Sequence, residues 1–210
     1  MSTIATSPTG RSWSGTIDYG PGTLYVPTSV DQLQALIART PRIRALGTRH
    51  SFSTVAASDA DLVSLHAMPA DIEFDTAAGT VRVGGGVRYG DLALAAWEAG
   101  LALPNMGSLP HISVAGASST GTHGSGVDNV ALAAGVRAIS LVTAEGDVVE
   151  LSRDKDPDTF RGSVLALGAL GVMTHLELDM LPAFEVRQAV YLDLPAERMN
   201  SDDLLAIMSS

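Results

Sequence analysis

Two periods of hydrophobic and polar residues run along the chain and divide it into elements. Leu24-Tyr25-Val26 reads as a short strand. Pro27-Thr28-Ser29 leads into a helix: Ser29 fits the N-cap, Gln32 follows at capping-box spacing, and Val30, Leu33, Leu36 and Ile37 share one face until Pro41. Arg42–Leu46 is a second strand, and this strand–helix–strand opening favours a parallel pair. Leu62–Leu65, Ile72–Phe74 and Thr80–Val83 read as further strands, and Tyr89 to Ala99 as a helix with Gly100 at its C′ position. Val136–Thr143 and Val148–Leu151 form a hairpin across Ala144-Glu145-Gly146-Asp147. Asp156-Pro157 starts a helix that reaches to about Gly168. From Val172 to Met180 the alternation is strict, with Val172, Thr174, Leu176, Leu178 and Met180 on one face and Met173, His175, Glu177 and Asp179 on the other. Leu181-Pro182 reads as a boundary, after which a strand (Val186–Leu192) and a helix (Ser201–Met208) begin. The stretch before Ser14 is polar, either frayed or an edge.

Composition narrows the class. Hydrophobic residues make up 46% of the 210 and charged residues 17%, enough apolar surface for a sizeable core and too little charge for disorder. The net charge of −10 repels a phosphate backbone, so nucleic acid is not an expected partner. Cysteine is absent, which removes disulfide and thiolate chemistry. The longest apolar run, Val164 to Met173, is ten residues with its glycines, half of a membrane span. These features predict a soluble, acidic, cytoplasmic globular protein with no membrane partner.

Charge is distributed unevenly. Between Ala99 and Ala144 only Asp128 and Arg137 are charged, and Gly116 to Gly126 is built from glycine, serine, threonine, one alanine and one histidine. A flexible linker has that composition, but linkers do not carry interleaved Ile112, Val114 and Ala115 or run straight into a strand. Such a loop suits backbone pressed closely against a ligand. It is neither a Rossmann fingerprint nor a Walker A loop, because the glycine spacing is wrong, no helix clearly opens on it and no lysine follows. A second loop, Gly47-Thr48-Arg49-His50-Ser51-Phe52, follows the strand ending at Leu46 and can turn successive N–H groups toward an anion. Taken alone, a histidine after a strand is more often structural than functional. Arg49 reads equally as a phosphate partner or as a solvated side chain. Neither loop contains a carboxylate, so both suit a ligand with phosphates.

Five motifs occur in order: Leu46-Gly47-x-x-His50-Ser51-Phe52; Val83-Gly84-Gly85-Gly86-Val87-Arg88-Tyr89; the run Leu103 to Gly116; Thr120-Gly121-Thr122-His123-Gly124-Ser125-Gly126; and Leu167-Gly168-Ala169-Leu170-Gly171-Val172. From about Pro27 to Glu185 the chain resembles the FAD-binding, PCMH-type domain of the vanillyl-alcohol-oxidase family, and within it the bacterial alditol oxidases. The resemblance implies an α+β fold of two α+β subdomains around FAD in residues 1–182, with 183–210 the start of a truncated substrate domain. It assigns the diphosphate to the loop from Gly47 to Ser51, counts Thr48, Arg49 and Phe52 among the cofactor-binding residues, and makes His50 the covalent tether to the methyl carbon on the flavin's benzenoid ring. It places Ser113, Gly116, Thr120, Gly121, Thr122 and His123 along the cofactor and Gly171 and Val172 near its adenosine end. Ser108 matches a position near the substrate hydroxyls. Gly107 matches a small residue that lets oxygen reach the flavin, and stands where an alanine is expected.

The implied activity is oxidation of the primary hydroxyl of a sugar alcohol such as xylitol or sorbitol, with oxygen reduced to hydrogen peroxide. The alternatives are a flavin-binding module that needs a partner subunit, and a sugar-lactone oxidase or dehydrogenase of the same fold. No catalytic base stands out within 1–210, and the resemblance implies a further C-terminal portion that supplies it. His175, on the polar face of its strand, and His66 are expected at the surface, His111 has no assigned role, and no histidine pair has metal-ligand spacing, so no metal is expected.

Overall fold

The computed structural model describes residues 3–190, 192–193, 195–200 and 202–208. Two sheets organise them. The first holds β1 (Ala5–Pro8), β2 (Thr23–Val26), β3 (Ile43–Ala45) and β4 (Asp61–Val63) in the order β1-β2-β4-β3. β4 lies between β2 and β3 and is parallel to both. The parallel arrangement anticipated for the opening unit therefore holds, through an inserted third strand. β1 pairs antiparallel with β2, so the polar N-terminal stretch is an edge.

Helix α1 (Val30–Arg39) covers this sheet with Leu33, Leu36 and Ile37. Ser29 caps it by accepting from the Gln32 N–H at 3.2 Å, and Gln32 reaches back to accept from the Thr28 N–H at 3.0 Å.

The second sheet contains β5 (Ile72–Asp75), β6 (Thr80–Gly84), β8 (Val136–Val142), β9 (Val148–Ser152) and β10 (Val172–Asp179) in the antiparallel order β5-β6-β10-β8-β9. A small pair, β7 (Leu101–Ala102) with β11 (Leu181–Pro182), lies apart. One face of the large sheet is covered by α2 (Tyr89–Glu98), α3 (Val114–Ser119) and α4 (Pro157–Val164). Val81, Val83, Leu92, Val114, Ile139, Phe160, Leu176 and Leu178 form the core there. A second core joins the sheets: Leu33, Leu36 and Ile37 of α1 and Val63 of β4 meet Val142 of β8 and Val172 of β10. Gln34 Nε2 donates to the Gly146 carbonyl at 2.7 Å across the same joint. The last described helix is α5 (Asp202–Met208).

Four expectations change. The helix from Pro157 stops at Val164 rather than near Gly168, because Leu167 and Gly168 take left-handed φ values of 53° and 76° that no helix can contain. A helix, α3, does run through the first residues of the glycine-rich stretch. Strict alternation in β10 is broken by a register shift between Met173 and His175. Met173 thereby joins the large core with Leu176, while Val172 joins the second one. The strand anticipated over Val186–Leu192 is absent: residues 183–190 and 192–193 form no regular structure, and Val186 is 84% exposed. No described strand lies alongside to take up its backbone groups. Tyr191, within that stretch, and Ser201, at the start of the last helix, lie outside the described residues.

His175 is also a correction. Its side chain is only 14% exposed and its Nε2 lies 3.6 Å from Asp71 Oδ2. On the outer sheet face Arg82, Arg137, Glu150 and Glu177 line one cavity together with His175. Burial lowers its pKa, the Arg82 charge adds to this, and Asp71 and Glu73 offset part of it. The unfolded chain takes up this proton near the ordinary value of about 6.5, the folded chain only at lower pH. The unfolded state therefore binds more protons in between, and stability falls as pH drops below about 6.5. Thermal melting from neutral to mildly acidic pH is expected to show this loss, and His175→Gln to show less of it. An identical acid loss in the variant would remove His175 as a source.

Candidate functional site

The two neutral loops meet. β3 delivers the chain to Leu46, whose N–H donates to the Val63 carbonyl at 2.8 Å and whose side chain is buried. The loop from Gly47 begins there. Thr48 Oγ1 accepts from the Ser113 N–H at 3.3 Å, tying the loop to the N-terminal end of α3. A Cβ at Gly47 would stand 3.1 Å from Ser113 Oγ, and one at Gly116 only 2.8 Å from the same atom. Two glycines from separate segments thus leave bare backbone around one buried serine. Mid-helix glycine costs about 1 kcal/mol relative to alanine, so helix stability does not explain Gly116; close approach to another body does.

His50 sits at the far side of this loop. Among the described residues neither of its ring nitrogens has a hydrogen-bond partner, although both are buried. Two rings contact it: Trp13, near-parallel with centroids 5.8 Å apart and 21° between planes, and His111, at 4.3 Å and 58°. Trp13 meets Phe52 edge-on at 6.4 Å. These two large side chains remain 61% and 71% exposed, an apolar ledge beside the imidazole. The Trp13 N–H donates to the Arg49 carbonyl at 2.8 Å, so the N-terminal arm is fastened to the loop next to His50. Arg49 itself takes φ 67°, and its guanidinium lies by Gly10. Burial lowers the His50 pKa, and the like charges of His111 and Arg88 lower it further. The Thr48 backbone offsets part of this without reaching hydrogen-bond geometry.

The remaining residues divide. Thr122 is brought against Gly107, whose Cβ would lie 3.3 Å from Thr122 Cγ2 and 3.6 Å from Ile112 Cδ1. The Thr122 carbonyl accepts from the Leu132 N–H at 2.9 Å, which ties the loop to the short 3-10 turn Leu132–Gly135 ahead of β8. Thr120 Oγ1 donates to the Gly116 carbonyl at 2.9 Å, and Gly121 turns the chain at φ 71°. His123 is exposed, with Nδ1 2.8 Å from the Gly124 carbonyl oxygen. Ser108 is exposed, and the Ser51 hydroxyl accepts from the Ser53 N–H at 3.3 Å. Val172 is committed to the core at the joint between the sheets, and Gly171 lies against Val142. Sequence reasoning missed Trp13, in a stretch read as polar, and gave His111 no part. The one signal for the first was a tryptophan in an otherwise hydrophilic arm.

These residues fit FAD. Buried polar nitrogens without partners carry a cost unless something satisfies them. Gly47 and Gly116 leave bare backbone beside Ser113, a surface to which phosphates can approach closely, and the loops bring no carboxylate against it. Residues 21–152 match the model of the FAD binding domain family. The chain belongs to that family, as a PCMH-type, α+β member.

Among curated proteins, an alditol oxidase from a Streptomyces species is 46% identical over 209 residues, covering 98% of this chain and 49% of that protein. A putative D-arabinono-1,4-lactone oxidase of Neurospora crassa is 34% identical over 87% of this chain and 34% of its own length. An L-gulono-1,4-lactone dehydrogenase of Mycobacterium tuberculosis is 33% identical over 87% and 43%. The chain spans about half the length, or less, of these relatives. Among the described residues no helix is long and apolar enough to cross a membrane.

Proposed function

We propose that this chain is the FAD-binding part of an oxidoreductase that oxidises the primary hydroxyl of a sugar alcohol, with oxygen as acceptor and hydrogen peroxide as co-product. His50 is its covalent flavin attachment site. The observation that carries this reading is the buried His50 imidazole, held by two rings with both nitrogens unclaimed. A neutral imidazole with a free lone pair is a competent nucleophile near neutral pH. The similarity to an alditol oxidase along nearly the whole chain supports the substrate class.

In this reading bound FAD would supply the redox chemistry, a two-electron acceptor for the alcohol and a donor for oxygen. The chain's own residues bind and orient it. The backbone from Gly47 to Ser51 holds the diphosphate, and Arg49 adds positive charge. Ser113, Gly116 and Thr120 to His123 line the cofactor, and the backbone of Gly171 and Val172 borders the adenosine. Ser108, exposed beside the glycine-rich loop, meets the substrate hydroxyls. Gly107 has no side chain to stand beside Thr122, so oxygen keeps its path. Residues 183–210 open a substrate domain, consistent with the exposed Val186, Val190 and Leu192.

A second reading, oxidation of a sugar lactone on the same fold, is favoured by the two lactone-acting relatives. Supplying xylitol or a sugar lactone and detecting peroxide separates the two. The tether is tested by denaturing the protein and looking for flavin fluorescence on a gel. The expected band is fluorescent and becomes dark in His50→Ala; a band that stays bright in the variant assigns the tether elsewhere.

A further inference from the structure

The His111 ring beside His50 has no part in the function proposed above. We propose that His111 is a positioning residue for the covalent flavin: together with Trp13 it holds the His50 imidazole in place and in its neutral form. The proposal rests on the reading of His50 as the attachment site.

A histidine ring is usually oriented by a hydrogen bond at one nitrogen, which also commits that nitrogen. His50 has none among the described residues, and ring contacts take that place. Both contacting rings are themselves anchored. The residues flanking His111 accept from the first turn of α2: the Gly90 N–H donates to the Pro110 carbonyl at 2.6 Å and the Tyr89 N–H to the Ile112 carbonyl at 2.9 Å. Trp13 is fastened through its backbone to Arg49. The charged groups acting on His50 are His111 and Arg88, with no carboxylate among them. Burial is the main cause that disfavours the charged form of His50, and the neighbouring His111 and Arg88 add to it, so His50 keeps its lone pair.

Attachment joins an imidazole nitrogen to the ring-methyl carbon of the flavin. The C–N bond forms as one methyl C–H bond and the imidazole N–H bond break. The two electrons and two protons pass to the isoalloxazine, and dioxygen removes them as hydrogen peroxide. An imidazolium has no lone pair for the first bond, so the rate follows the neutral fraction of His50.

The test uses protein produced in riboflavin-starved cells, mixed with FAD from about pH 5 to about pH 9, a range that spans histidine titration. Samples are denatured at intervals, and covalent flavin is read by in-gel fluorescence. Wild type is expected to attach FAD at a rate that levels off above a midpoint below the usual histidine value of about 6.5. His111→Phe keeps a ring without its charge. Its midpoint is expected to rise while its plateau stays within about twofold, the effect of keeping the geometry. His111→Ala is expected also to lose roughly tenfold or more of the plateau through loss of position. Wild-type midpoint and plateau in both variants would overturn the proposal. So would weakened non-covalent FAD affinity of either variant in a His50→Ala background, which would make His111 a binding residue. Wild-type protein that never attaches FAD, or His50→Ala protein that still does, would instead overturn the reading of His50 itself.

Discussion

Gly171→Ala is expected to destabilise the protein by roughly 2–6 kcal/mol, summing a strained backbone at ~1–3 and overpacking at ~1–3. Gly171 takes φ 144°, which L side chains rarely adopt. Its Cβ would fall inside the contact distance of the Val142 carbonyl oxygen and 3.1 Å from Leu141 Cδ1. The carbonyl belongs to β8, which β10 pairs beside, and neither strand can step aside without disturbing the other. Val142 and Val172 are also the large sheet's contribution to the core beneath α1. The damage therefore reaches the joint between the two sheets. For a domain whose whole stability is about 5–15 kcal/mol, such a loss moves the urea midpoint far down or abolishes folding. Gly162→Ala is the control. It lies within α4, nothing stands within 4 Å of its Cβ, and alanine there is expected to stabilise by about 0.5–1 kcal/mol. Equal midpoints for the two variants would refute this account of Gly171.

The glycine at 171 was legible in the sequence only as part of a motif; what it touches was not. Local chemistry read well. Ser29 and Gln32 announce α1 because a cap is a contact between near neighbours. The turn around Gly146 announces the β8–β9 hairpin for the same reason, and Gly146 does take φ 86°. Non-local placements were hidden. The insertion of β4 between β2 and β3 is a pairing between strands distant in sequence, which no local pattern records. The bulge in β10 arises in its pairing with β8 and cannot be seen in a sequence that alternates perfectly. In the candidate site the division is the same. His50 and the glycine loops stand out by composition, whereas the contacts that give His50 its character come from Trp13, in the N-terminal arm, and His111, in the segment before α3. His175 was misjudged because period-2 alternation reports which face a residue is on, and not how deeply its ring sits on that face beside Asp71.

Gly47→Val is expected to weaken FAD binding by roughly ten- to a hundredfold and to change the stability of the FAD-free protein little. Gly47 is exposed at the mouth of its loop, and a Cβ there would meet Ser113 Oγ at 3.1 Å and Gly116 Cα at 3.9 Å. The serine hydroxyl need give only a few tenths of an ångström, so the empty fold tolerates the branch. The two methyl groups would instead occupy the space between the loop after β3 and α3, where the diphosphate is proposed to run. Overpacking of that kind costs about 1–3 kcal/mol, and each 1.4 kcal/mol is about tenfold in affinity. Calorimetry in a His50→Ala background keeps binding reversible and reads the loss directly. Adding Ser113→Ala separates two causes. If Gly47→Val acts by pushing the serine aside, removing the hydroxyl restores binding. If it acts by filling the cofactor's place, the double variant binds as weakly as the single one does, apart from whatever Ser113→Ala costs alone. The second outcome is expected, because the backbone that the glycine leaves bare, and not the hydroxyl, is what lets the phosphates approach. Full restoration in the double variant would move the diphosphate away from Gly47.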